Sequence, residues 1–162
     1  MKLHEHVAIL KTAIENAYDK EFSRLGFGKN EVIPIENIPT ENQTRRHRFE
    51  SMLESHIGET GDYEHAREKL VDELTFTLFN RLAAVKVMEA ANLFPPIITR
   101  RAEHGGRSFG HKAWLETNPH QRDEELEGLR TYIKYAFDKI GISLPLFSSE
   151  YPFSLFPDTI SL

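Results

Sequence analysis

Eight histidines, two arginine-rich stretches and no cysteine bound the chemistry this chain can attempt. His4-Glu5-His6 opens like the helix of a zinc protease, whose two histidines stand one turn apart with a glutamate beside the first. The second ligand would fall at position 8, and that residue is Ala8. The Glu-x-x-His spacing that brings carboxylate and imidazole together in di-iron bundles is missing too, because no histidine follows a glutamate by three. Without cysteine, thiolate catalysis, disulfides and sulfur-ligated zinc are excluded together. The histidines read as solvated helix residues, and no metal site is expected. Glycines cluster only in "GFG" (26–28) and "GGRSFG" (105–110). A cofactor-binding glycine loop must follow a buried strand, whereas Gly26 follows a helical pattern. "FPPI" at 94–97 carries Phe94 where an N/D-P-P-Y/F motif needs an amide or carboxylate. Neither a G-x-x-x-x-G-K-[ST] loop nor a G-x-S-x-G elbow occurs. The chain holds no recognisable catalytic constellation.

Two basic stretches remain. "TRRHR" (44–48) offers Arg45, Arg46 and Arg48, and "TRRAEHGGRSFGHK" (99–112) offers Arg100, Arg101, Arg107 and Lys112. Flexible cations and exposed amides beside glycines suit phosphate contacts, which position a protein on double-stranded DNA without reading its sequence. The competing reading is internal. Residues 115–127 hold five acids and one arginine, enough to pair with these cations. Phe109 and Trp114, beside the second stretch, either stack on bases or anchor their loop to the core.

These side chains need elements to hold them. At 162 residues, 40% apolar and 28% charged, the chain has the length and balance of one globular domain rather than a disordered one. No apolar run approaches 18 residues, so no membrane span is expected and the location is expected to be cytoplasmic. Periodicity predicts an all-α bundle of about four main helices, with an irregular hydrophobic tail. The first helix covers about 3–25, with Val7, Leu10, Ile14, Ala17, Tyr18 and Phe22 on one stripe. Thr40 and Gln43 form a T-x-x-Q capping box for a second, to about residue 57. Asp62 caps a long third helix over about 63–92, apolar on three arcs and therefore central. One arc is Val71, Leu74, Leu78, Leu82 and Val85, and another is Phe76, Phe79, Ala83 and Val87. A loop follows over 99–112, and "NPHQ" (118–121) opens a fourth helix to about residue 140, with Leu126 on its apolar face. The predicted organisation is a helical bundle domain over 1–142 and a hydrophobic tail over 143–162. That tail, with Leu146, Phe147, Tyr151, Phe153, Leu155 and Phe156, either straps the chain's own core or leads into a further catalytic domain.

One stretch of the long helix is not ordinary. "LTFTLFNRLAAVKVMEAANLFPP" sets Asn80 and Arg81 in an apolar run, each costly to bury unless paired. No acid lies three or four residues from Arg81, so its partner must come from another element. The block resembles a signature of adenine-specific DNA methyltransferases of phage defence and restriction-modification, the PglX-like, BREX-type and fused type II enzymes. The residues that carry the likeness are Phe79, Asn80, Arg81, Leu82, Ala83, Ala84, Met88 and Glu89, a scaffold signature of about thirty residues.

The resemblance implies the N-terminal, non-catalytic domain of a longer enzyme. That enzyme would bind S-adenosylmethionine and methylate adenine N6 after flipping the base from the duplex. The family's glycine-rich cofactor motif and N-P-P-Y motif are both absent from residues 1–162. No catalytic, cofactor-binding or metal residue is therefore assigned. The expected role is DNA positioning, or bracing of the catalytic domain of the same polypeptide or of another chain. The rival is a stand-alone helical adaptor that binds a protein partner through its C-terminal hydrophobic segment, 144–157.

Overall fold

The computed structural model describes residues 2–150 and Pro157. The chain is all-α: among the described residues there are five helices, several short 3-10 turns and one two-residue hairpin. The helices are α1 (Leu3–Arg24), α2 (Thr40–Thr60), α3 (Tyr63–Ala90), α4 (Phe109–Thr117) and α5 (Leu129–Gly141). Strands β1 (Arg100–Arg101) and β2 (Arg107–Ser108) are antiparallel. Two compact units divide at Phe79 and Asn80, inside α3.

The first unit gathers α1, α2 and the opening half of α3. Ile14, Tyr18 and Phe22 from the predicted stripe are buried, and the Phe22 ring meets Phe49 of α2 edge-on at 5.2 Å. Leu70, Val71 and Leu74 of α3 are buried as well. Asp62 caps α3 as expected, accepting from the His65 amide at 3.4 Å. The Thr40–Gln43 box does not form. Thr40 is already helical, and Gln43 Nε2 turns back to the carbonyls of Ile35 at 3.3 Å and Ile38 at 3.5 Å. Pro39 sets the helix start instead, since its ring fixes φ near the helical value.

The second unit holds the rest of α3, the hairpin, α4 and α5. Leu82 and Val85 are buried with Trp114, Leu115, Tyr132, Ile133 and Phe137. α3 ends at Ala90, two residues short of the expected bound, and Asn92 just beyond it takes a left-handed φ of 57°, which an asparagine tolerates. The arc of α3 that contains Phe76 and Val87 is not enclosed: those residues are 61% and 68% exposed.

Two expectations for this region are corrected. Residues 99–112 are not a plain loop but a hairpin and the first turn of α4. Ser108 caps that helix, its Oγ accepting from the His111 amide at 3.0 Å. The single fourth helix is broken. Residues 119–128 form 3-10 turns, and α5 begins only at Leu129. Leu126, Glu127 and Gly128 follow one another at φ of 51°, 54° and 66°. A left-handed step costs about 1–2 kcal/mol for a residue bearing Cβ, so no helix propagates through it. Leu126 consequently faces solvent, at 58% exposure.

The tail begins by folding back. Pro145–Phe147 form a 3-10 turn, with Phe147 buried against the Phe137 ring at 5.2 Å. Tyr151, Phe153, Leu155 and Phe156 lie outside the described residues.

Candidate functional site

α3 brings its two charged signature residues into the second unit, eight positions and about 12 Å apart along the axis. Arg81 is 3% exposed. Its Nε donates to the Leu146 carbonyl at 2.7 Å and an Nη to the Ser148 carbonyl at 3.1 Å, while the guanidinium lies 5.9 Å from the Phe137 ring centre. The partner lies beyond Arg81's own helix, in the segment after α5. Glu89 makes the mirror-image contact. Its carboxylate accepts from the Ile97 amide, from the Ile98 amide at 2.6 Å and from Thr99 Oγ1 at 2.5 Å. Lys86 also reaches Thr99 Oγ1, at 2.6 Å. A cation thus holds the carbonyls of one irregular segment, and an anion holds the amides of another. Buried backbone groups outside helices need such partners. Asn80 is half-buried, with no side-chain hydrogen bond among the described residues, and Met88 is half-buried. Phe79, in the first unit, lies under Lys11 Nζ at 4.9 Å.

The seven basic candidates separate. Arg46 is 3% exposed and donates to the carbonyls of Ile33 at 2.6 Å and Leu25 at 3.3 Å, beneath the Phe27 ring. A residue so enclosed cannot meet a phosphate, and the DNA-contact expectation for Arg46 is corrected. Arg45 pairs with the buried Glu21 and lies against Phe49, so it too is engaged within the fold. Arg48 is exposed on α2.

In the second unit, Arg100, Arg101 and Lys112 are exposed. Arg107 is held by Glu127 in a two-pronged pair, Nε and Nη2 each donating to one carboxylate oxygen, the second at 2.7 Å. That hydrogen bonding keeps the Glu127 carboxyl below its usual range and raises the guanidinium above its own. The pairing of this basic stretch with the acidic one is thus real at Arg107.

Sequence reasoning did not single out Glu127, twenty residues from its partner and reached only through the left-handed turn. It also passed over Tyr132. That phenol donates to the Ile97 carbonyl at 3.1 Å and stacks on His111, and burial pushes its pKa up to about 12. Tyr132 also floors an apolar groove of about 700 Å³, walled by Phe94, Phe109, Trp114, Tyr135 and Leu144. Phe109 and Trp114 therefore line a hollow of their own unit, and Lys139 is the one charged residue in its lining among the described residues. Among the described residues, no group of three or more histidines and carboxylates is placed to hold a metal ion. Nor, among those residues, is any helix long and apolar enough to cross a membrane. No protein-family model, curated protein or solved structure matches the chain.

Proposed function

We propose that this chain is a non-catalytic helical domain of an adenine-specific N6 DNA methyltransferase of the restriction-modification and phage-defence type, acting in the cytoplasm. Its part is to brace the catalytic region and to hold duplex DNA by its backbone. S-adenosylmethionine belongs to the remainder of such an enzyme, and no residue here is assigned to it. The family rests on the resemblance of the Phe79–Glu89 block. The scaffold role rests on one observation above all: Arg81 and Glu89, two charged residues of that block, are both tied to backbone groups outside their own helix. Support for DNA contact comes from Arg100 and Arg101, exposed side by side on a hairpin with Gly105 and Gly106 at its turn.

Fluorescence anisotropy with a labelled 20-base-pair duplex, at several salt concentrations, tests the reading. The expected outcome is sequence-tolerant binding that weakens steeply with salt. Arg100→Ala and Arg101→Ala should each lower the slope of log K against log salt by about 0.9, one phosphate contact apiece. Binding that is absent at low salt sinks the DNA-holding part and leaves bracing alone. The adaptor reading is favoured by the apolar groove, whose walls resemble those that receive a partner's helix. It takes over if duplex binding is absent and Tyr135→Glu releases a co-purifying protein chain.

A further inference from the structure

Arg101 and Arg107 stand directly opposite each other across the hairpin. Opposed residues leave the same face of a ladder, and like charges on one rung repel. Only one of the two is balanced: Arg107 is gripped by Glu127, whereas Arg101 has no ion pair among the described residues. The grip is fork to fork, with two parallel N–H···O contacts from Nε and Nη2. A phosphate presents two oxygens to a guanidinium in that same geometry. Arg107 and Glu127 both keep part of their side chains in solvent, 26% and 35%, so an incoming anion can reach the pair.

The backbone behind Glu127 is also unusual. It is the middle residue of the left-handed run 126–128, and its carbonyl accepts from His111 Nε2 at 2.9 Å. A non-glycine residue in that conformation persists where its surroundings hold it. Here the holders are Arg107, through the carboxylate, and His111, through the carbonyl.

We infer that Glu127 is an internal stand-in for phosphate, an autoinhibitory contact that closes the Arg101–Arg107 rung until a phosphodiester of duplex DNA displaces it. Displacement gives the phosphate two guanidiniums in place of one and frees the 119–128 segment from its tie to the hairpin. The inference rests on the DNA-holding role proposed above and adds its regulation.

The full chain is compared with Glu127→Gln, which keeps the size and removes the charge. Glu127→Gly, which suits the positive φ, carries the test if circular dichroism finds the Gln variant unfolded. Both are titrated with the 20-base-pair duplex and, separately, with inorganic phosphate. Removing the carboxylate should tighten duplex binding about tenfold and steepen the salt slope by about 0.9, one more phosphate contact. Adding Arg107→Ala should abolish the gain. Hydrogen exchange across 119–128 should rise in the wild-type chain when duplex binds. Wild-type binding that the Gln and Gly variants leave unchanged overturns the latch while the DNA role stands. If no form binds duplex but the Gln variant gains phosphate binding through Arg107, the latch stands as an anion site and the DNA role falls. If no form binds either ligand, both fall.

Discussion

At the scale of single residues, a guanidinium in a core helix is tolerable only because its donors have acceptors waiting. Arg81 reaches the carbonyls of Leu146 and Ser148, in and just after the 3-10 turn that follows α5. Hydrogen bonds to a charged group contribute about 1.5–3 kcal/mol each. Arg81→Met preserves the apolar stem and removes every donor, so it should lower the unfolding free energy by about 3 kcal/mol in urea titration. Arg81→Lys should recover only part of this, because one ammonium cannot span both carbonyls as a planar fork does. A Met variant within about 0.5 kcal/mol of wild type would show that Arg81 does not tie this segment down.

At the scale of elements, α4 depends on two small residues. Ser108 satisfies the His111 amide in its first turn, and Gly110 makes room for the Tyr132 phenol. A Cβ at Gly110 would lie 2.1 Å from Tyr132 Oη and 3.3 Å from the Pro96 carbonyl. The phenol cannot yield without losing its bond to Ile97, which Glu89 also holds through the amide. Gly110→Ala should therefore cost more than the helix preference of alanine returns, about 1–3 kcal/mol net. It should also bring the Tyr132 ionisation back toward its ordinary 10.0. Thermal unfolding and the alkaline absorbance titration of tyrosine read the two effects. An Ala variant as stable as the parent, with its tyrosine titration unchanged, would mean that the phenol does not need this gap.

At the scale of the whole molecule, stability should fall at both ends of the pH range. Glu127 is held below its ordinary 4.5, so the folded chain keeps this carboxylate charged where the unfolded chain begins to protonate it. That contribution is complete above about 4.5 and is lost as the pH falls through the lowered value. Tyr132 behaves oppositely. The unfolded phenol ionises near 10.0 and the folded one near 12, so the unfolded state sheds its proton first. Its contribution is flat below 10 and disappears as the pH rises from 10 toward 12. Denaturant titrations from acid to alkali should give a dome whose acid limb is shallower in Glu127→Gln and whose alkaline limb is shallower in Tyr132→Phe. Limbs unaltered by these changes would place the responsible groups elsewhere.

The sequence by itself determined the all-α class and the starts of α1 and α3, because these depend on local periodicity and capping. Ile14, Tyr18, Phe22, Leu74 and Val85 were legible as core for the same reason. It also marked Arg81 as a residue needing a partner from another element. Only the tertiary structure could supply that partner, since two carbonyls 65 and 67 positions away leave no trace in spacing. The break before α5 was hidden for a related reason. Leu126 and Glu127 carry no turn signal, and their left-handed backbone persists through contacts with Arg107 and His111 that are made only in the fold. Composition could offer seven cations to a phosphate, but which of them stay free is decided by packing. Arg46 went inside because the carbonyls of Leu25 and Ile33 needed a donor there, and Arg100 and Arg101 stayed out on a hairpin too short to bury them.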